Sequence, residues 1–295
     1  MGGIVNLILN WARLTRIEHA FLSLFGIATG LIIAAKYLYF VESAQTLILI
    51  FLFPFLINLG SFALNDYFDM QADRINKRDR VLLKGLILPK HAFYFSLICL
   101  IIGGLGGFLV NALSGLITMI FSILAFLYNY KLKEMAFVGN IIISISMGIA
   151  FIFGYVAAAN NLIIPNLVWI LFFGASFAGL GREIVKTVQD VEGDLKARKA
   201  KTIAILLGVK NSLMLASLFF LAYILTIFFL LFLTSYDNTI IKWNYFYLGL
   251  LFISAAVYFV LIIKTLKNQD LEIVRKQSLL ALGLALAAIF LALLG

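Results

Sequence analysis

The 295-residue chain has one cysteine, three prolines and two histidines, and only 13% of its residues are charged. Cys99 has no second cysteine to pair with, so no disulfide framework holds this fold. His19 and His91 are too few to ligate the several haems of a membrane cytochrome. The low charge excludes soluble globular, disordered and coiled-coil classes, because a soluble domain carries about 25% charged and about 45–50% apolar residues. Here 63% of residues are hydrophobic and the mean hydropathy is +1.07. Strand-like alternation of polarity is also missing from the apolar runs, which disfavours a transmembrane β-barrel. No cleavable leader is read, since the first apolar stretch follows Arg13 and Arg16 without a small-residue cleavage site. What is left is an all-α polytopic membrane protein.

A spanning helix needs roughly 20 mostly apolar residues. Nine such stretches are predicted, at about 17–35, 45–66, 91–110, 113–130, 136–158, 166–183, 211–234, 243–264 and 277–294. The third and fourth abut at Asn111, and Gly103, Gly104, Gly106 and Gly107 in the third predict close helix packing. Of the 23 lysines and arginines, all but Lys36 and Lys242 fall on the side that holds the N-terminus. Basic loops stay in the cytoplasm, so the N-terminus is expected inside and the C-terminus outside. This loop asymmetry accounts for the net charge of +9 without invoking nucleic acid. The expected site is therefore cytoplasmic, in the cell membrane.

The acids follow the same split, with only Glu42 and Asp237 outside. Attraction to anionic lipid explains bases on that face but not acids. One cluster reads Asn65-Asp66-Tyr67-Phe68-Asp69-Met70-Gln71-Ala72-Asp73, where the second span meets the cytoplasm. On a continuing helix, Asn65, Asp69 and Asp73 share one face. Like charges at that spacing destabilise a bare helix, so a compensating partner is expected. The other reads Asp190-Val191-Glu192-Gly193-Asp194, and Arg182, Lys186, Asp190 and Asp194 recur every fourth residue. Gly193 is a candidate break in that helix. Two carboxylate pairs suit Mg²⁺, which takes oxygen ligands from one or two acids and from substrate phosphates. Arg74, Lys77, Arg78, Arg80 and Lys84 follow the first pair, and Lys196, Arg198, Lys199 and Lys201 the second. Acids, metal and surplus cations together describe a diphosphate site. Taken alone, Lys196 to Lys201 is an ordinary juxtamembrane run.

These clusters resemble the UbiA-type intramembrane prenyltransferases. Asn65 to Asp73 matches the family pattern N-D-x-x-D-x-x-x-D, and Asp190 and Asp194 match its second D-x-x-x-D. Tyr128-Asn129-Tyr130-Lys131-Leu132-Lys133, followed by Gly139-Asn140, is similar to the family's tyrosine–lysine segment. The resemblance covers essentially the whole chain. It implies one intramembrane domain over residues 1–295, with nine helices bundled around a central cavity under a cytoplasmic cap. Two related halves, roughly 1–135 and 136–295, follow from the recurrence of the motif after an even-numbered span. It further implies that Asp69, Asp73, Asp190 and Asp194, with Asn65, hold a Mg²⁺-bound prenyl diphosphate. Lys133 leads as the basic contact, followed by Arg78, Arg80 and Lys186. Asp66 is an extra acid that supports its neighbours or caps the turn. Tyr67, Tyr128 and Tyr155 are candidates to stabilise an allylic cation.

The acceptor is read from Gly181-Arg182-Glu183-Ile184-Val185-Lys186 and Gln189 to Asp194, which look most like the archaeal digeranylgeranylglyceryl phosphate synthases. Those transfer geranylgeranyl to geranylgeranylglyceryl phosphate, and a phosphate-bearing acceptor would use Arg182 or Lys186. Two features differ. That group commonly has Arg-Pro where this chain has Arg80-Val81. Arg16-Ile17-Glu18-His19 and Ala204-Ile205-Leu206-Leu207-Gly208 are closer to quinone-pathway members acting on 4-hydroxybenzoate. An aromatic acceptor is the alternative. A secondary transporter would place its acids near the bilayer midplane at broken helices, and here they cluster at one interface. A non-catalytic lipid-binding scaffold would not need the aspartate pairs.

Overall fold

The computed structural model describes residues 2–38, 43–198, 201–236 and 240–294. Glu42, Asp237 and Lys199 lie outside the described residues, as does the side chain of Arg198. Among the described residues nine helices are long and apolar enough to cross a membrane, and none is a strand. The elements are α1 (Gly2–Thr15), α2 (Ile17–Leu38), α3 (Ala44–Phe68), α4 (Met70–Ile75), α5 (Pro89–Gly106), α6 (Ala112–Tyr130), α7 (Val138–Ala159), α8 (Asn166–Gln189), α9 (Val191–Arg198), α10 (Ile203–Tyr236), α11 (Tyr245–Leu266) and α12 (Leu271–Leu294). Helices prevail because a peptide group in hydrocarbon must find its hydrogen bond within its own segment.

The expected spans are all present, and their ends differ where polar residues continue a helix. α8 runs on through Arg182 to Gln189, because hydropathy marks where lipid ends and not where the backbone ladder ends. α12 starts at Leu271, and α10 starts at Ile203 with a kink at Gly208. Gly208 has φ 76°, open to glycine at no steric cost. Asn111 caps α6 by accepting the Ser114 N–H at 2.8 Å, which explains how α5 and α6 adjoin without a long loop. A methyl group at Gly103 would lie 2.8 Å from the Phe53 carbonyl oxygen, so α3 and α5 pack backbone to backbone there. α1, not expected as an element, is a short helix preceding the first span.

The chain forms two compact units. Unit 1 comprises Met1–Leu24, Glu42–Gly139 and Asp190–Lys201. Its α3 packs against α5 and α6, and α4 packs against α9. Leu14 of α1 joins Ala63, Val81, Leu82, Ile87 and Ala92 in a buried apolar cluster. The Trp11 ring lies 4.7 Å from that of Phe95. Unit 2 comprises Phe25–Val41, Asn140–Gln189 and Thr202–Gly295. There α8 packs against α10 and α12, and α11 against α10 and α12. Several of its buried hydroxyls bond across helices, while Ser176 Oγ and Thr202 Oγ1 are buried without a hydrogen-bond partner. Tyr258 donates to the Ser278 carbonyl at 2.9 Å, and Ser254 to that of Ala281 at 2.7 Å. A cavity of about 40 Å³ inside this unit is lined by residues such as Phe151, Ile170, Tyr223 and Leu286.

Candidate active site

Unit 1 contains both acidic motifs. The α3 ladder does not stop at its last residue: Asp69 N–H donates to the Asn65 carbonyl at 2.9 Å, and Asp73 N–H to that of Asp69 at 2.7 Å. The helix breaks for one residue at Asp69 and resumes as α4, so the expected spacing of Asn65, Asp69 and Asp73 survives. The second motif behaves the same way. Asp190 separates α8 from α9, and Asp194 N–H donates to the Asp190 carbonyl at 2.9 Å.

Gly193 does not break α9. It is buried, its N–H donates to Asn76 Oδ1 at 3.0 Å, and a methyl there would sit 2.3 Å from Asn76 Nδ2. Glycine lets α9 approach the end of α4 closely enough for that bond. The two acidic motifs are thereby fastened to each other within one unit.

The expected compensation for the crowded carboxylates is present as ion pairs. Lys133 Nζ bonds Asp69 and lies over the Phe68 ring. Arg80 Nε donates to Asp73 Oδ2 at 2.9 Å and lies 3.8 Å from Asp66 Oδ1. Arg78 Nη2 donates to Asp190 Oδ1 at 2.6 Å. Asp66, whose side chain is only 3% exposed, accepts from Arg16 Nη2 at 2.8 Å. Arg16 is the hinge residue between α1 and α2, with φ 45°, and its guanidinium lies 5.1 Å from the Phe62 ring centre. Burial raises the Asp73 carboxyl above its ordinary value; Arg80 opposes this and the neighbouring Asp69 adds to it. Burial alone would lower the Arg80 guanidinium, but Asp66 and Asp73 hold it raised.

Asn65 Nδ2 donates to Asn129 Oδ1 at 3.0 Å, and Asn129 Nδ2 donates back to the α6 carbonyl of Ala125 at 2.9 Å. This engages the Asn65 amide nitrogen as a donor and leaves its oxygen as the acceptor of the group. Tyr128 is buried beside Gly139 in the same unit, and the Tyr67 ring is tilted by 40° against that of Phe93, 5.0 Å away. Met135 and Lys201 form an isolated bridge, and Lys201 N–H donates to the Glu134 carbonyl at 2.9 Å. The Lys133 turn is thus tied to the chain leaving α9.

Sequence reasoning named Asp69, Asp73, Asp190, Asp194, Asn65, Asp66, Lys133, Tyr128, Arg78 and Arg80, and all ten belong to unit 1. Arg182 and Lys186 belong to unit 2, where both pair with Glu183. Tyr155 is buried in unit 2. The partners that sequence reasoning did not single out are Arg16, Asn76 and Asn129. Arg16 and Asn129 stood inside quoted motifs, but nothing in their spacing named the residue each would touch.

Among the described residues no three acids, histidines or cysteines gather into a cage for a metal ion. The donor set consists of two carboxylate pairs and one amide oxygen. Mg²⁺ fits such a set, because it binds through one or two carboxylates and completes its shell with water and phosphate oxygens.

The profile of the UbiA prenyltransferase family matches residues 23–282, and the chain belongs to that family. It is 38% identical over 153 residues to the digeranylgeranylglyceryl phosphate synthase of Methanosphaera stadtmanae, covering 52% of this chain and 54% of that protein. The chain thus spans about half the length of that relative. The digeranylgeranylglyceryl phosphate synthase of Archaeoglobus fulgidus is 31% identical over 209 residues, covering 70% of this chain and 69% of that one. Among solved structures, a digeranylgeranylglyceryl phosphate synthase in membranes superposes with TM-score 0.69 at 28% identity over 99% of both chains. A UbiA homologue from Archaeoglobus fulgidus bound to DMAPP and Mg²⁺ shares the fold, with TM-score 0.58 at 16% identity over 95% of this chain and 99% of that one.

Proposed function

We propose that this prenyltransferase moves a geranylgeranyl group from its diphosphate to the free hydroxyl of geranylgeranylglyceryl phosphate, forming an ether and releasing diphosphate. The observation that carries the reading is the pairing of Lys133, Arg80 and Arg78 with Asp69, Asp73 and Asp190. Acids and bases alternate here as a diphosphate and its counter-ion require. The relatives in the ether-lipid pathway supply the acceptor.

Asp69, Asp73, Asp190 and Asp194, with the Asn65 oxygen, would hold Mg²⁺. Bound there, Mg²⁺ supplies positive charge against the departing diphosphate. Lys133, Arg78 and Arg80 turn from their carboxylates to the phosphate oxygens, where Arg binds two at once and Lys acts as a point charge. Each donor is held at the site by a protein acid, so it is at hand for the charge that develops on the leaving group. Asp66, locked by Arg16, keeps Arg80 within reach of Asp73. Tyr67 and Tyr128 offer ring faces to the allylic cation. An apolar surround keeps water from that cation.

The same reading takes residues 1–295 as one intramembrane domain of two related halves, 1–135 and 136–295, around a central cavity with a cytoplasmic cap. The basic loops support an N-terminus inside, a C-terminus outside and a site facing the cytoplasm of the cell membrane. Its partners are the prenyl diphosphate, the acceptor and membrane lipid.

The test is transfer from radiolabelled geranylgeranyl diphosphate by purified protein in lipid, with Mg²⁺. Geranylgeranylglyceryl phosphate and 4-hydroxybenzoate are offered in parallel. The aromatic arm answers the Arg16-Ile17-Glu18-His19 segment, whose arginine contacts Asp66 in the site. Product with the glyceryl phosphate, absent in Asp69→Asn and Asp190→Asn, is the expected result. Product with the aromatic acid alone would keep the chemistry and replace the acceptor.

A further inference from the structure

Arg16 lies outside both acidic motifs, yet its side chain enters the site they form. It stands alone between α1 and α2 with φ 45°. A residue other than glycine holds that left-handed conformation only where its surroundings fix it. The surroundings here belong to unit 1. Leu14, two residues earlier, is fully buried with Val81 and Leu82, which directly follow Arg80. The Arg16 guanidinium lies 5.1 Å from the Phe62 ring centre, and Phe62 precedes Asp66 by one turn of α3. The end of α1 thus packs on the loop that carries Arg80, while the hinge residue reaches across to α3.

Two guanidinium groups stand beside one oxygen of Asp66. Arg16 Nη2 donates to Oδ1 at 2.8 Å, and Arg80 Nε is 3.8 Å from it, beyond hydrogen-bond reach. The same Nε donates to Asp73 Oδ2 at 2.9 Å. A buried carboxylate without a cation is costly, so one guanidinium or the other must answer Asp66. With Arg16 on Asp66, Arg80 is released to Asp73. Without Arg16, Arg80 is the cation already within ion-pair range of Asp66. Burial lowers the Arg80 guanidinium; of the charges opposing it, Asp66 acts more strongly than Asp73, which adds a hydrogen bond.

We propose that Arg16 is a positioning residue of the diphosphate site: by occupying Asp66 it assigns Arg80 to Asp73 and keeps that guanidinium available to phosphate oxygens. The assignment of Arg80 between two carboxylates rests on the distances; its use on diphosphate rests on the proposed function. Arg16 acts on the substrate only through Arg80. Lysine at this position could neutralise Asp66, but it lacks the planar group that Arg16 holds over Phe62. A pair that only fastened α1 to α3 would make itself felt in melting and not in the behaviour of Arg80.

The experiment is a double-mutant cycle on full-length protein in lipid nanodiscs. Its readout is Mg²⁺-dependent binding of radiolabelled inorganic diphosphate, a probe with neither prenyl chain nor acceptor. Loss of a charge-assisted hydrogen bond predicts about 10–100-fold weaker binding in Arg80→Gln. Arg16→Gln should weaken it about tenfold, and Arg16→Lys by less. Arg16→Gln added to Arg80→Gln should weaken it no further, because the two changes act through one guanidinium. Arg16→Gly, which frees the hinge of its left-handed strain but removes the guanidinium, should match Arg16→Gln. Asp66→Asn added to Arg16→Gln should recover most of the affinity, since nothing then draws Arg80 from Asp73. In transfer assays the KM for geranylgeranyl diphosphate should rise in Arg16→Gln while that for the acceptor holds. Losses that multiply in the Arg16→Gln, Arg80→Gln double variant overturn the proposal and leave the proposed function standing. Wild-type affinity in Arg16→Gln or Arg16→Gly overturns it equally, whatever the melting temperature. Arg16→Lys takes its place in the cycle if Arg16→Gln does not fold. Coupled losses in a protein that transfers to neither acceptor would sink the proposed function and keep this role for Arg16. Wild type that binds no diphosphate with Mg²⁺ would sink both.

Discussion

The two units solve the problem of charge beside a membrane in opposite ways. In unit 1, Asp66, Asp69, Asp73 and Asp190 each meet a basic residue, and the set is close to balanced. In unit 2, a single sealed carboxylate is crowded by Arg182, Lys186 and Arg275. On the proposed function a balanced set can exchange its partners: its acids would hold Mg²⁺ and its cations would turn to phosphate. The unit 2 set is a fixture: Arg182 Nε donates to the Arg275 carbonyl at 3.3 Å, so the sealed carboxylate sits where α8 meets α12. The difference separates residues placed to redistribute charge from residues that hold one helix against another.

The comparison breaks most sharply at the acids of unit 1. Asp69→Asn or Asp190→Asn should lower transfer about 10²–10³-fold, by analogy with losing one preorganised electrostatic donor. Radiolabel transfer at saturating Mg²⁺ measures it, and a loss below tenfold would remove these acids from the mechanism. Chelation of divalent metal should stop transfer and diphosphate release together, with recovery on adding Mg²⁺.

Stability sharpens it next. Asp66→Asn leaves Arg16 without its charged partner, and Glu183→Gln leaves three cations facing a neutral amide. Breaking a buried pair from one side costs about 3–5 kcal/mol, so both variants should melt earlier in lipid nanodiscs. Asp66→Asn should also lower transfer, because Asp66 stands beside Arg80. Unchanged transfer in Asp66→Asn would erase the distinction between the units.

Gly193→Ala is a smaller perturbation. Its methyl meets the Asn76 side chain, which can yield, so about 1 kcal/mol of overpacking is expected. Transfer should fall several-fold as α9 backs away from α4, and Asn76→Ser in the same protein should recover some of it. At the bottom of the scale, Lys196→Ala removes an exposed pair with Glu192 and should leave transfer and melting unchanged.

The membrane frame was legible because lipid penalises every unpaired peptide group, so an uninterrupted apolar run has few alternatives to a helix. The ends of those helices were less so. α8 reaches Gln189 because nothing in Arg182 to Gln189 opposes helix, although that stretch is not apolar. The acids of the candidate site were legible because Asp69 and Asp73, and Asp190 and Asp194, repeat one local spacing. Their partners were not. Arg16 and Asp66 are 50 residues apart, and Arg78 and Asp190 are 112 apart. Local spacing carries no information about such pairs. Gly193 was misjudged for the same reason: in isolation glycine weakens a helix, and here its bareness admits Asn76. The cluster on Glu183 depends on Arg275, which comes from α12 and shares no motif with it.

The Asp190–Lys201 segment belongs to unit 1, yet it is joined through α8 and α10 to unit 2. This has a consequence for biosynthesis. When the ribosome has finished Gly139, unit 1 has its first acidic motif, Lys133 and Arg78, but Arg78 lacks Asp190 and Asn76 lacks Gly193. The stretch from 140 to 201 takes roughly 3–12 s to synthesise at 5–20 residues per second. For that interval two further spans enter the membrane while the first half holds an open seat for a helix not yet made. A nascent chain arrested before residue 190 should therefore insert its spans and fail to bind diphosphate, and one released just past residue 201 should be the first to bind it.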